Sequence, residues 1–349
     1  MKTIITILAL GCLLAFGLNG CQSTYVTSAK IYLQQNELDN AKEQLQLGLK
    51  ENPNDAQAHY LLGTIHSHHK EYPAMIEEFD ASIAISEKHK ADIDNIKAKH
   101  SRDLFNAGVE HFNGGQTDKA IDELKMAILI DPDDQEGWAL LGKAYIRTEH
   151  PDDAISALEK AAELDPTFEK MDDRVLLMQI YYNQDMVEEA LNMAMEIKGH
   201  DPANKDAIKV AAFCYNQLGQ QEKAFEYYQE VMKDNPDDPD MIFNLGLLYE
   251  DMERYEEAVV QFAKSFELNP QDETAIKKCG LIYLEILKDN PKAVDSYQKA
   301  LESFPDNPDF LNNLGIAQIR LGQEKDDQSL IDAGTDAIKR ATELRGQNP

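Results

Sequence analysis

Apolar residues recur along most of this chain at steps of three and four, as in Trp138, Leu141 and Tyr145 or Ala154, Leu158 and Ala161, with charged residues between them. That spacing puts them on one face of a helix, whereas a half-buried strand would alternate every second residue, and no segment does so. The pattern is interrupted at a nearly constant interval: Pro132, Pro166, Pro202, Pro236, Pro270 and Pro305 stand 34, 36, 34, 34 and 35 residues apart. Proline cannot continue the backbone ladder and biases its predecessor away from helix, so each marks a helix end. A period of this length identifies a repeat array, whose core is a seam between neighbouring units and not a single centre. Nine copies fit, at 22–55, 56–89, 101–134, 135–168, 171–204, 205–238, 239–272, 273–307 and 308 to the end, which predicts eighteen helices.

The clearest copy reads Trp138, Leu141, Gly142, Tyr145, Ala154, Leu158, Ala161 and Pro166. It resembles the tetratricopeptide consensus at every position except a leucine where phenylalanine is usual. The resemblance implies an all-α solenoid, a right-handed superhelix of helix-turn-helix repeats. Glycine or alanine at the eighth position (Gly63, Gly108, Gly142, Ala212, Gly246, Gly280, Gly315) and alanine at the twentieth (Ala41, Ala120, Ala154, Ala190, Ala224, Ala258) let the two helices of a unit approach closely. Three places depart from the pattern. Glu87 replaces the proline of the second repeat, and Lys88 to His100 read as an extended helix joining repeats two and three. Met178 replaces the glycine of the fifth repeat, among Met171, Met186, Met193 and Met195, most simply as filler of an irregular core. An insertion is expected at Gln323 to Gln328, followed by a capping helix from about Ser329 to Arg345.

The N-terminus carries a different signal. Met1 and Lys2 precede the apolar stretch Ile4 to Phe16, and Leu18-Asn19-Gly20-Cys21 follows. This is similar to a bacterial lipoprotein signal, which implies cleavage of residues 1–20 and acylation of Cys21; Asn19 departs from the commonest form of the box. The run is short for a membrane span and is broken by Gly11, Gly17, Asn19 and Gly20, although an uncleaved anchor or plain secretion stays open. The resulting organisation is a signal peptide at 1–20, repeats one and two at 21–89, a helical extension at 90–100, and repeats three to nine with the capping helix at 101–345. The resemblance places the protein in the bacterial cell envelope, on the outer membrane facing the periplasm if the organism has one.

Charge narrows the partners. The chain carries 63 acidic and 34 basic residues, a net charge of -29. So acidic a body repels phosphate backbones, and no basic stripe offers a nucleic-acid footprint. The same charge opposes lying flat on anionic lipid, so membrane attachment falls to the N-terminal lipid. Cys214 and Cys279 sit too far apart in the repeat register for a disulfide and read as buried thiols.

By family resemblance, positions 2, 5, 9, 12 and 13 of each first helix face the concave groove where protein or peptide partners bind. Those positions carry Tyr60, Phe105, Phe112, Lys143, Tyr182, Phe213, Phe243 and Asn312, with Asn244 beside them. Aromatics interleaved with amides suit an extended or helical peptide. The alternative is that the rings pack against the second helix of the next repeat. The carboxylate clamp of chaperone-binding relatives is missing, since Lys209 is followed by Phe213, Lys277 by Leu281 and Asn312 by Ile316. His66, His68 and His69 with Glu71 form a weak metal-site candidate, against a reading of one core and two solvated histidines. No nucleophile elbow, phosphate loop or paired-cysteine pattern occurs, and no cofactor or enzyme activity is expected. The leading reading is a membrane-anchored interaction scaffold; the alternative is an assembly accessory for a type IV pilus secretin or for outer-membrane proteins. Cys21→Ala is expected to move the protein from the membrane fraction to the soluble fraction, read by fractionation and immunoblotting; unchanged retention refutes lipid anchoring.

Overall fold

The computed structural model of the chain describes residues 23–347, so the expected signal peptide and Cys21 lie outside the described residues. Eighteen helices and no strand occur among those residues. They pair as α1(Thr24–Gln34) with α2(Leu38–Glu51), α3(Ala56–His68) with α4(Tyr72–Ile85), α5(Lys90–Asn113) with α6(Thr117–Ile130), and α7(Gln135–Arg147) with α8(Pro151–Glu163). After these come α9(Met171–Asn183) with α10(Val187–His200), α11(Lys205–Gln217) with α12(Gln221–Asp234), and α13(Pro239–Asp251) with α14(Tyr255–Leu268). The array closes with α15(Glu273–Leu281) and α16(Asn290–Ser303), then α17(Pro308–Lys325) and α18(Gln328–Gln347). Odd-numbered helices are the first of each repeat.

Local chemistry sets these boundaries. Asp55, Asp134, Asn204, Asp238, Asp272 and Asn307 cap the first helices by accepting backbone N–H bonds from the opening turn. This explains the acidic runs just before those helices. Each hairpin turn contains one left-handed residue: Asn36, Lys70, Gly115, Glu149, Asp185, Gly219, Glu253, Lys288 and Asp326. The next residue's N–H then reaches back to the last turn of the first helix, as in Glu71 to the His66 carbonyl at 2.9 Å and Arg254 to that of Tyr249 at 2.8 Å. That is the Schellman closure of a helix C-terminus.

The seam within each hairpin is a close approach of a small residue to a large one. A Cβ placed on Gly63 would lie 2.5 Å from the Phe79 ring, on Gly142 2.6 Å from Leu158, on Gly246 2.8 Å from Phe262, and on Gly280 2.6 Å from Tyr297. In the last hairpin the approach is backbone to backbone, with a Cβ on Gly315 falling 2.5 Å from the Gly334 carbonyl oxygen. The alanines at the twentieth position are fully buried from Ala41 to Ala258.

The chain divides into two compact units between Thr167 and Phe168. The first holds α1–α8, with core clusters built around Val26, Leu45 and Ile65, around Met75, Phe79 and Ile93, and around Leu124 and Leu141. The second holds α9–α18, and its large cluster runs from Val259 and Phe262 through Tyr297 to Phe310 and Leu314. Cys214 and Cys279 are buried free thiols in this unit, each pushed up to about 11 by burial. Met178 is completely buried, as a gap filler should be.

One expectation at the departures needs correction. The segment after repeat two is not one helix through Lys88: Ser86 adopts an extended conformation, its hydroxyl accepts from the Lys88 N–H, and a 3-10 turn over Glu87–His89 leads into α5. Serine at a helix start competes for backbone hydrogen bonds in this way. The insertion expected at Gln323 to Gln328 is present and is taken up by the helix: α17 runs on to Lys325, and left-handed Asp326 ends it. The one-residue excess before Pro305 appears as a π-helical turn at Ile282–Ile286, where Leu287 donates to the Ile282 carbonyl at 2.9 Å.

Gly315→Ala is expected to destabilise the second unit by about 1–3 kcal/mol through overpacking against fixed backbone. Gly199→Ala, in a helix with nothing within 4 Å of the new methyl, is expected to stabilise by roughly 0.5–1 kcal/mol. Urea denaturation of both variants checks the contrast, and equal effects refute the seam assignment.

Candidate interaction surface

In the first unit, every aromatic expected in the groove is half-buried. Tyr60 on α3 stacks on His89 at 4.2 Å between ring centroids and 7° between planes, and lies 6.3 Å from Phe79. Burial holds the His89 imidazole below its ordinary range, which favours the neutral ring in that stack. Phe105 on α5 packs against two core clusters. The Arg147 guanidinium on α7 covers Phe112 at 3.8 Å from the ring centroid and donates to the Phe112 carbonyl at 2.6 Å. Lys143, one turn before Arg147 on α7, is half-buried.

The second unit brings the groove aromatics of successive first helices together. Tyr182 on α9 stacks with Phe213 on α11 at 5.7 Å and 26°. Phe213 meets Tyr228 of its own hairpin edge-on at 6.0 Å, and Phe243 on α13 tilts against Phe262 at 5.4 Å. The three rings sit one turn earlier on each successive first helix, so they form a diagonal and not a column. Asn244 donates to the main-chain oxygen of Asp240 at 2.8 Å, and Asn312 donates to Asn313 at 3.4 Å, which donates in turn to the Tyr297 hydroxyl at 3.3 Å. The ring contacts of Tyr182, Phe213 and Phe243 are not with the second helix of the next repeat, as the alternative had it. Phe213 and Phe243 lean on the second helix of their own hairpin, Tyr182 leans on the next first helix, and each is half-buried.

The histidine cluster separates. His66 is buried and shares a 2.5 Å hydrogen bond with Glu71, whose carboxylate also pairs with Lys42 at 3.2 Å. His68 and His69 are exposed at the helix end, their rings edge-to-face at 5.9 Å. No three His, Cys, Asp or Glu side chains converge on a common point among the described residues. The His66 hydrogen bond, then Lys42, hold the Glu71 carboxyl below its usual range. No helix among the described residues is long and apolar enough to cross a membrane.

Comparison with known proteins accords with this geometry. Residues 26–89, 239–272 and 287–322 match tetratricopeptide-repeat models, and residues 113–241 match the repeat domain of a cytochrome c-type biogenesis protein H. The chain is a tetratricopeptide-repeat protein. The C-terminal part of a repeat-containing protein from Cytophaga hutchinsonii shares its fold at 17% identity and a TM-score of 0.54, over 69% of this tetratricopeptide chain and 98% of the other. Similarity extends to YrrB, described as having an unusual peptide-binding site (16% identity, TM-score 0.43, 67% and 96% covered). It extends also to PilF of Pseudomonas aeruginosa (18% identity, TM-score 0.43, 60% and 94% covered). No curated protein matches the sequence. Tetratricopeptide scaffolds bind protein or peptide partners and are generally not enzymes.

Charges on the same faces escape a reading by aromatic and amide content alone. At the five groove positions α1, α3, α5 and α7 carry Lys30, Arg102, Lys143 and Arg147 against Glu136, whereas α9, α11 and α13 carry Asp172, Asp206, Asp240, Glu250 and Asp251 against Lys209.

Glu71→Gln is expected to lower the midpoint of chemical denaturation at neutral pH. A carboxyl depressed in the folded state contributes stability above its unfolded pKa, here near the ordinary 4.5, and loses it as pH falls through the folded value. The difference between wild type and variant should therefore shrink below about pH 4.5; a difference that grows there refutes the pairing.

Proposed function

We propose that this tetratricopeptide protein is a scaffold of the bacterial cell envelope, tethered by a lipid on Cys21 and holding a partner protein or peptide against the faces of its first helices. The observation that carries the reading is the Tyr182–Phe213 stack, with Phe243 half-buried on the next first helix. Rings already fixed by packing offer apolar area to a partner at little cost in side-chain entropy. The amides nearby supply donors and acceptors for a peptide backbone. The protein acts by recruitment and not by catalysis. Only two residues separate Cys21 from α1, so a lipid there would hold the first hairpin at the membrane surface with no tether.

In-cell photocrosslinking checks this. A photoreactive residue at Phe243 is expected to give a discrete protein adduct absent from a control probe at Glu257 on α14. Adducts from Glu257 alone refute the first-helix face as the binding surface.

A further inference from the structure

The face formed by α9, α11 and α13 carries more than aromatic rings. Asp240, Phe243, Leu247 and Asp251 follow one another at steps of three and four on α13, and Asp206, Lys209 and Phe213 do so on α11, so the carboxylates and the rings share a face. Asp172, Asp206, Asp240 and Asp251 are exposed, and no lysine or arginine among the described residues pairs with them. Glu250, the fifth acid, is held by Lys278 at 2.7 Å, and Lys209, the lone base, reaches Asp238 only at 4.0 Å. Self-repulsion among unpaired carboxylates around an apolar strip is unfavourable, and a cation brought to that strip relieves it.

A second feature adjoins this face. A cavity of about 190 Å³ opens between the first turns of α11 and the end of α12, floored by Ile208 and Val231 and rimmed by Asp206, Glu230, Asp234 and Asp238 against Lys205 and Lys209. Glu230, Asp234 and Asp238 face Lys198, Lys205 and Lys209, which leaves Asp206 as the open acid beside an apolar floor, a setting that suits a side chain with an aliphatic stem and a cationic head. The preference does not simply echo the acidity of the whole chain. The first helices of the first unit show the opposite sign at the same register, four bases against one acid, within an acidic protein.

We infer that the α9–α13 face binds an extended protein segment in which lysine or arginine alternates with apolar residues. The apolar side chains lie against Tyr182, Phe213 and Phe243, and the cations meet Asp206, Asp240 and Asp251. This rests on the scaffold reading and specifies the chemistry of the partner.

The test uses the full chain in detergent and a fluorescein-labelled peptide, Lys-Leu-Gly repeated four times, with an acidic twin in which glutamate replaces lysine. Binding is read by fluorescence anisotropy at two salt concentrations. Asp206→Asn, Asp240→Asn and Asp251→Asn together are expected to weaken the lysine peptide about tenfold, the product of three exposed charge pairs. Glu196→Gln, Glu226→Gln and Glu267→Gln, exposed on second helices and equal in charge change, should weaken it less than about twofold. Circular dichroism confirms that both triple variants stay folded. Equal weakening by the two triples, equal binding of the acidic twin, or no saturable binding of the lysine peptide overturns the inference. Equal binding of both peptides, with crosslinking to a probe at Phe243, sinks the charge preference alone; loss of all crosslinking there sinks the scaffold reading with it.

Discussion

The structure depends on one contact, the approach of a residue with little or no side chain at position eight to a large side chain on the returning helix. Gly63 against Phe79, Gly142 against Leu158, Gly246 against Phe262 and Gly280 against Tyr297 are the same contact with different partners. Packing at organic-crystal density leaves no room for an added methyl there, so the interhelix distance is fixed to within a few tenths of an ångström. Several of the large partners also support a groove residue. Phe79 stacks with Tyr60 and Phe262 meets Phe243, so the contact that closes a hairpin also seats the ring that faces outward. Core and surface are linked through a single side chain.

Much of this was legible because the determinants are local and repeated. Six prolines, the eighth-position glycines and the caps before six of the nine first helices place the helix pairs in register from composition and spacing. What escaped depends on choices between near-degenerate local states. Ser86 can continue a helix or cap the next turn, and its hydroxyl accepting from the Lys88 N–H shows that it caps. The extra residue before Pro305 is visible as a count of 35, but a loop insertion and a π-turn accommodate it equally well in sequence. Gln323 to Lys325 posed the same ambiguity.

The candidate surface was less legible for a different reason. Positions 5, 9 and 12 identify Phe243, Phe213 and Tyr182, but not how far each is committed to the core. The answer depends on their neighbours, since Tyr228 and Phe262 cover one side of a ring and nothing in the heptad-like spacing says which. His66 was easier, because it occupies a position where tyrosine normally packs, and Glu71 in the following turn is its natural partner. Charge at the same register was the overlooked signal: it requires no structure to tabulate, only attention to residues that seemed to be ordinary solvated surface.

The left-handed turn residues have a separate consequence. Seven of the nine are not glycine but Asn36, Lys70, Glu149, Asp185, Glu253, Lys288 and Asp326, even though glycine is the usual occupant. A side chain at such a position costs about 1–2 kcal/mol, so the chain leaves stability ungained at most of its hairpin tips. These tips therefore behave as a permissive margin: six of the seven carry a formal charge, and they can exchange one charge for another without disturbing the seams behind them. Net charge can be changed there by substitution while the first-helix faces keep their residues.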